Sequence, residues 1–152
     1  TFEMLDVPAL AAAARARGAR TVMDNTWGAG WAFRPLAHGV DVSVQALTKY
    51  VAGHSDVLMG GVAVADPAVR AAVADTIEDL GWHVSPDDAW LALRGMRTLA
   101  LRYAEQGRSA LALAQWLQTR PEVERVLYPP LATRVMRSGD GTTAAPRPCS
   151  AW

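Results

Sequence analysis

The sequence has few of the residues that build disulfide frameworks and metal centres. It contains one cysteine, Cys149, and three histidines, His38, His54 and His83. A single cysteine excludes an internal disulfide and fits a reducing compartment, so a cytoplasmic location is expected. The histidines are too scattered for a zinc site, and we predict no metal.

Charge of one sign and long apolar runs are also lacking. The 15 basic and 15 acidic side chains cancel, so the sequence has no basic footprint for nucleic acid or a membrane surface. No apolar run reaches the roughly 18 residues of a membrane span, and no basic leader followed by an apolar stretch opens the chain. We therefore expect neither nucleic acid nor a membrane as a partner.

Apolar residues are plentiful, and they recur with regular spacing. They make up 51% of the 152 residues, which is enough for a core. The pattern predicts a helix over 7–18, strands over about 20–24, 41–46 and 60–65, and a helix over 67–80. The last of these strands is expected at an edge or in a hairpin. Because helices and strands alternate, the sequence predicts an α/β fold.

The second half of the chain is predicted to be mainly helical. Ser85 and Pro86 predict a helix start, a long helix continues to about Thr119, and alternation over 123–128 predicts a strand. Helical spacing predicts that a set of apolar residues lies in the core: Trp90, Leu93, Met96, Leu99 and Leu101. A second apolar stripe is predicted at Ala110, Leu113, Ala114 and Leu117.

An amine and a carboxylate occur at the ends of two predicted strands. Asp24 ends the first strand, and Lys49 closes the stretch 40–49. Pyridoxal phosphate (PLP) uses a lysine for a Schiff base and an aspartate for its pyridinium nitrogen. Each residue also has an ordinary alternative, since a lysine at a strand end is usually solvated and Asp-Asn-Thr usually forms a turn.

Longer motifs around these two residues carry a specific resemblance. Asp-Asn-Thr-Trp-Gly-Ala-Gly stands at 24–30 and Gln-Ala-Leu-Thr-Lys-Tyr at 45–50. Both resemble the cysteine and methionine metabolism family of PLP-dependent enzymes, and within it the bacterial cystathionine β-lyases. The resemblance extends from Thr1 to about Pro130 and includes 85–90 and 93–99.

The resemblance implies a fold and a domain organisation. The expected fold is that of an aspartate-aminotransferase-like (fold type I) enzyme. Residues 1–95 would form the C-terminal part of its large PLP-binding domain, and residues 96–131 the start of the smaller C-terminal domain. Arg94 and Arg97 are expected to form salt bridges between domains or subunits.

The resemblance also implies roles for three residues. Lys49 would hold the cofactor and then act as base for the substrate Cα proton, Asp24 would pair with the ring nitrogen, and Thr48 would contact the phosphate. The implied reaction is β-elimination of cystathionine to homocysteine, pyruvate and ammonia, in methionine biosynthesis and transsulfuration. The implied assembly is a homotetramer, a dimer of dimers.

Other activities remain open at this point. Trp27 followed by Gly-Ala-Gly favours the β-lyase branch, but cystathionine γ-lyases, γ-synthases and methionine γ-lyases share the Asp-Asn-Thr and Thr-Lys-Tyr cores. An alternative from a different class is that the chain would be a catalytically inactive fragment that only associates with full-length subunits. Family members are longer, and their substrate-carboxylate arginine lies beyond the segment represented here.

Residues 132–152 lose both the helical and the alternating pattern. When this segment is back-translated with GC-rich codons and read in another frame, the resulting amino-acid sequence is close to the sequence that family members have at this position. We therefore hypothesise an out-of-frame tail over 132–152, in which Cys149 has no designed role.

Overall fold

The computed structural model describes residues 4–131, which fall into two compact units. One unit is Val7–Ala100, and the other includes residues 4–6 and 101–131. The predicted tail over 132–152 lies outside the described residues. The elements of the chain are α1 (Val7–Arg15), β1 (Val22–Asp24), β2 (Val42–Ala46), β3 (Gly60–Val64), α2 (Pro67–Asp79), α3 (Pro86–Met96) and α4 (Leu99–Leu117), with short 3₁₀ helices at Pro35–His38 and Pro129–Leu131.

Local capping signals determine where the helices of the first unit begin and end. Asp66 accepts from the backbone N–H groups of Ala68 and Val69 at 2.8 and 3.0 Å, and α2 begins at the next residue, Pro67. Ser85 accepts from the N–H of Asp88 at 3.0 Å at the start of α3. Gly81 follows α2 with φ +65°, a conformation that glycine adopts without strain. The predicted starts of α2 and α3 are confirmed, whereas α1 ends at Arg15, three residues before its predicted end, and α2 ends at Asp79, one residue before its predicted end.

Three strands form a sheet in the order β1-β2-β3. β1 and β2 are parallel, with Asp24 opposite Val44, whereas β2 and β3 are antiparallel, with Ala46 opposite Gly60. The predicted edge or hairpin strand is therefore confirmed as β3. Because β1 and β2 run in the same direction, the loops that follow them leave the same edge of the sheet.

The core prediction for α3 and the start of α4 is wrong for most of its residues. Leu99 is buried, but Trp90, Leu93, Met96 and Leu101 are 54–76% exposed. α3 instead buries its small residues Ala92 and Gly95. Small side chains allow a closer approach of the helix to its neighbours, so the larger apolar side chains lie on the face that remains open within this chain.

In the second unit, α4 ends at Leu117, two residues short of its predicted end. Of the predicted stripe on this helix, Ala114 is buried and Leu113 is 56% exposed. The strand predicted over 123–128 is wrong, since this segment has no regular structure. A strand needs a partner for its backbone groups, and the sheet of the described residues consists of β1, β2 and β3. No helix within residues 4–131 is both long and apolar enough to cross a membrane.

Candidate functional site

The loops after β1 and β2 bring Asp24 and Lys49 to the same edge of the sheet. Asp24 is the last residue of β1. β2 ends at Ala46, and a turn follows over residues 47–52. The prediction that Lys49 closes the strand is therefore wrong, because it lies in this turn, three residues beyond Ala46. Both side chains are exposed within this chain.

Thr26 favours the ionised form of the Asp24 carboxylate. The backbone N–H of Thr26 donates to Asp24 Oδ1 at 2.8 Å. The hydroxyl of Thr26, followed by this N–H, lowers the pKa of Asp24. Burial opposes this effect, and the positive charge of Lys49 makes the smallest contribution, again toward a lower pKa. Hydrogen bonds to the charged form favour that form. Asp24 is thus an anion at neutral pH.

The same threonine ties the turn after β1 to β2. Thr26 is buried, and its Oγ1 accepts from the backbone N–H of Ala46 at 2.8 Å. The N–H of Asn25 donates to the carbonyl of Val44 at 2.7 Å and so continues the parallel pairing one residue beyond β1. These two contacts fix the position of the turn that follows Asp24.

The Trp27–Gly30 segment is held against Asn25. The buried Asn25 side chain donates from Nδ2 to the carbonyl of Phe33 at 3.0 Å, and its backbone carbonyl accepts from Ala29 at 2.9 Å. A Cβ atom on Gly28 would collide with Oδ1 of Asn25. Glycine is therefore needed at position 28 by this close approach, not by its backbone conformation.

The hydroxyl of Thr48 is engaged with the backbone of Met59. It accepts from the N–H of Met59 at 2.9 Å and donates to the carbonyl of Met59 at 3.3 Å. The N–H of Thr48 also donates to that carbonyl, at 3.3 Å. Thr48 therefore joins the chain after β2 to the residue before β3, and its hydroxyl keeps one lone pair for a further donor.

Lys49 lies in a turn closed by short backbone hydrogen bonds. The carbonyl of Lys49 accepts from the N–H of Gly53 at 2.8 Å, and the carbonyl of Leu47 accepts from the N–H of Ala52 at 2.8 Å. Val51 and Ala52 are buried, whereas the lysine side chain points outward. The turn thus presents an exposed amine from an anchored backbone.

An open groove of about 440 Å³ lies beside Asp24. It is lined by Asp24, Val44, Gln45, Ala46, Thr48, Leu58, Met59, Gly60, Gly61 and Val62. Two of the three predicted site residues, Asp24 and Thr48, belong to this lining, and Lys49 follows Thr48 directly. The lining is mostly apolar, and it contains no arginine or lysine.

Sequence reasoning did not single out Gln45. Its Oε1 is buried without a hydrogen-bond partner among the described residues, and Gln45 lines the groove. The sequence signal that could have identified it is a glutamine among apolar residues of a strand, four residues before Lys49. A buried amide oxygen of this kind ordinarily has a partner.

Comparison with known proteins identifies the family. A sequence model described as "Cys/Met metabolism PLP-dependent enzyme" matches residues 1–137. The chain belongs to this family. Family members depend on PLP, so PLP is the expected cofactor. The match overlaps the start of the hypothesised out-of-frame segment, which begins at residue 132.

Curated relatives in the family carry more than one activity. The chain is 51% identical over 128 residues to a cystathionine beta-lyase of Bordetella avium, covering 84% of this chain and 32% of that protein. It is 41% identical over 133 residues to the cystathionine beta-lyase MetC of Escherichia coli, covering 86% and 33%. A probable cystathionine gamma-synthase of Herpetosiphon aurantiacus is 36% identical over 130 residues, covering 86% and 41%. The chain spans about one third of the length of the first two relatives.

Solved structures confirm the fold. A cystathionine gamma-lyase of Lactobacillus plantarum, complexed with L-serine, superimposes with a TM-score of 0.79 at 32% identity, over 81% of this chain and 32% of that one. A cystathionine gamma synthase of Xanthomonas oryzae pv. oryzae, in complex with aminoacrylate and cysteine, gives 0.79 at 36% identity, over 86% and 34%. The chain is thus part of a fold type I α/β enzyme, as predicted.

Proposed function

We propose that this chain supplies the lysine and the ring-nitrogen acid of a PLP-dependent carbon-sulfur lyase that cleaves cystathionine by β-elimination. The observation that carries the proposal is the ionised Asp24 beside Lys49 at one edge of the sheet. PLP needs an acid at its ring nitrogen and an amine at its aldehyde. The anion at the end of β1 and the amine in the turn after β2 match these two needs.

The described residues fit the ring and the aldehyde of the cofactor better than its phosphate. Asp24 is held as an anion by Thr26, which suits a protonated ring nitrogen. The apolar groove beside it suits an aromatic ring. For the phosphate, the groove offers the hydroxyl of Thr48, which already bonds Met59. We propose Thr48 as one phosphate contact through its backbone-anchored hydroxyl, with further donors supplied from outside the described residues.

Lys49 has two proposed tasks, both at Nζ. It would hold the aldehyde carbon of the cofactor until the substrate amine takes its place there, and as the released, free amine it would then take the proton from the substrate Cα. A general base must be neutral when it acts and must be close to the proton that it removes. When bound, PLP supplies an electron sink that stabilises the carbanion left at Cα.

Asp24 has the proposed task of keeping the cofactor ring nitrogen protonated. A carboxylate whose pKa is lowered stays charged throughout the range in which an amino-acid lyase works. Thr26 acts behind it, because its two donors reduce the proton affinity of the carboxylate.

The β-elimination of cystathionine is the proposed branch. In this reaction the Cα–H and Cβ–S bonds break, homocysteine leaves, and hydrolysis of the remaining three-carbon unit gives pyruvate and ammonia. Support comes from the names of the relatives, including the Bordetella avium protein. The alternatives, a γ-lyase, a γ-synthase or a methionine γ-lyase, are supported by other relatives and by the solved structures.

The proposal includes a homo-oligomeric holoenzyme, a dimer of dimers, that acts on an amino-acid substrate. It also holds that this chain by itself does not turn substrate over, because no arginine lines the groove to bind a substrate carboxylate or the cofactor phosphate. Catalysis requires all these groups to be positioned together.

Covalent trapping tests the role of Lys49 without any turnover. Lys49 is the only lysine of the sequence, so the sole other amine is that of Thr1. The purified chain is incubated with PLP and reduced with borohydride, and the labelled peptide is located by mass spectrometry. We expect the label on the Lys49 peptide, and none there in Lys49→Ala. Labelling at Thr1 alone, with Lys49 unmodified, would contradict the proposal.

A further inference from the structure

The turn that carries Lys49 lies against the C-terminal end of α3. A Cβ atom on Gly95 would collide with the backbone carbonyl oxygens of Val51 and Ala52. Val51 and Ala52 are 5% and 0% exposed. Helix backbone and turn backbone therefore touch directly, and only glycine at position 95 permits this distance.

A second contact, an ion pair, joins α3 to the chain on the C-terminal side of Gly53. Nη2 of Arg94 lies 2.7 Å from Oδ2 of Asp56. The guanidinium of Arg94 also lies 5.5 Å from the ring centre of Trp90, one turn earlier on α3. The contact with Trp90 therefore restricts the position of the Arg94 guanidinium independently of the ion pair with Asp56.

The ion pair is too exposed to matter much for overall stability. Its side chains are 43% and 36% exposed, and such surface pairs contribute little to the free energy of unfolding. It does restrict where Asp56 lies relative to α3. Together with the Gly95 contact, it holds the chain from Val51 to Asp56 at two separated points.

We propose that Arg94, Gly95 and Asp56 are positioning residues that hold the Lys49 turn for covalent attachment of the cofactor. This inference rests on the proposed role of Lys49. Inside the turn, the N–H groups of Ala52 and Gly53 bond back to Leu47 and Lys49. Gly95 of α3 lies against the carbonyl oxygens of Val51 and Ala52, next to these bonded amides. The backbone from which the lysine extends therefore cannot shift without breaking these hydrogen bonds.

Arg94→Gln tests the ion pair with little risk to folding. We expect several-fold faster hydrogen exchange at the amides of Ala52 and Gly53 and several-fold weaker PLP attachment at Lys49, with an unchanged urea midpoint. Arg94→Lys, which keeps the charge, should restore part of the protection from hydrogen exchange and part of the PLP attachment. The matched control is Arg97→Gln, which removes the same charge from the residue after α3, where Arg97 is exposed. It should leave exchange and attachment at wild-type values.

Gly95→Ala tests the backbone contact. We expect attachment to fall by a larger factor than in Arg94→Gln, again with faster exchange at Ala52 and Gly53. The control is Gly107→Ala in α4, where an added Cβ meets nothing within 4 Å. That substitution should leave exchange and attachment unchanged.

The outcomes separate this inference from the proposed function. If the wild-type chain attaches PLP at Lys49 but Arg94→Gln and Gly95→Ala attach it equally well, the positioning role is wrong and the role of Lys49 stands. Faster exchange with normal attachment would likewise overturn it, since the contact would then be only structural. Failure of the wild-type chain to attach PLP at Lys49 would overturn both.

Discussion

At the scale of single residues, Thr26 connects the Asp24 carboxylate with β2. Its hydroxyl and its backbone N–H lower the pKa of Asp24, and its Oγ1 also accepts from the N–H of Ala46 in β2. One buried threonine therefore both favours the ionised form of the carboxylate and restricts its position relative to the strand that leads to Lys49.

Asp24→Asn removes the negative charge that the ring nitrogen needs. Hydrogen bonds to charged groups are worth about 1.5–3 kcal/mol, so we expect PLP to bind roughly 10- to 100-fold more weakly. An absorbance titration of the chain with PLP measures this. Asp75→Asn, an exposed carboxylate on α2, is the control and should bind as the wild type does. Wild-type affinity in Asp24→Asn would show that Asp24 does not pair with the cofactor.

The sequence motif predicted Asp24, Lys49 and Thr48 as site residues, and this assignment stays a prediction, but the motif did not predict all of their surroundings. Asp-Asn-Thr and Thr-Lys-Tyr are local patterns, so their residue types were readable. The bond of Thr26 to Ala46 and the bonds of Thr48 to Met59 join residues far apart in sequence, and their partners are backbone atoms that every residue carries. No pattern of side chains could predict them.

At the scale of secondary structure, the two parallel strands are joined at their start by a small network. Oδ2 of Asp41 accepts from the N–H of Thr21 at 2.7 Å and from its hydroxyl at 2.9 Å. The N–H of Asp41 in turn donates to Oγ1 of Thr21 at 3.1 Å. This network aligns β1 with β2 at the end opposite to Asp24 and Lys49.

Asp41→Asn should destabilise the chain in a pH-dependent way. The N–H of Thr21, followed by its hydroxyl, holds the pKa of Asp41 below its ordinary value. A lowered folded pKa stabilises the protein above the unfolded value, and the effect is lost as pH falls through the folded pKa. We expect a lower urea midpoint than wild type at pH 7, and a difference that shrinks below about pH 4. A difference that is constant with pH would contradict this account.

The success of the element predictions depended on how local each signal was. Ser85 and Asp66 bond N–H groups two or three residues away, so their helix starts could be read directly. The alternation over 123–128 predicted a strand, but a strand also needs a neighbour that no local pattern specifies. The buried side of α3 was predicted wrongly because Ala92 and Gly95 are too small to contribute much to an apolar pattern. The absence of a side chain at Gly95 is what allows the close contact with the Lys49 turn.

At the scale of the whole molecule, the chain spans about one third of the length of the Bordetella avium relative that it matches. The Val7–Ala100 unit carries Asp24, Thr48 and Lys49, and the unit that includes residues 101–131 carries none of these. The predicted domain boundary after residue 95 remains a prediction. The proposed site is therefore best tested in a protein of the full length of that relative.

The most direct measurement is the identity of the keto acid that a complete enzyme forms from cystathionine. In the Bordetella avium relative, the 128 matching residues are replaced by those of this chain, and the product is identified after incubation with cystathionine. We predict pyruvate as the main keto acid, and at least about a 100-fold loss of its formation in Lys49→Ala. Formation of 2-oxobutyrate in place of pyruvate would contradict the β-elimination, and undiminished turnover in Lys49→Ala would contradict the role of the lysine.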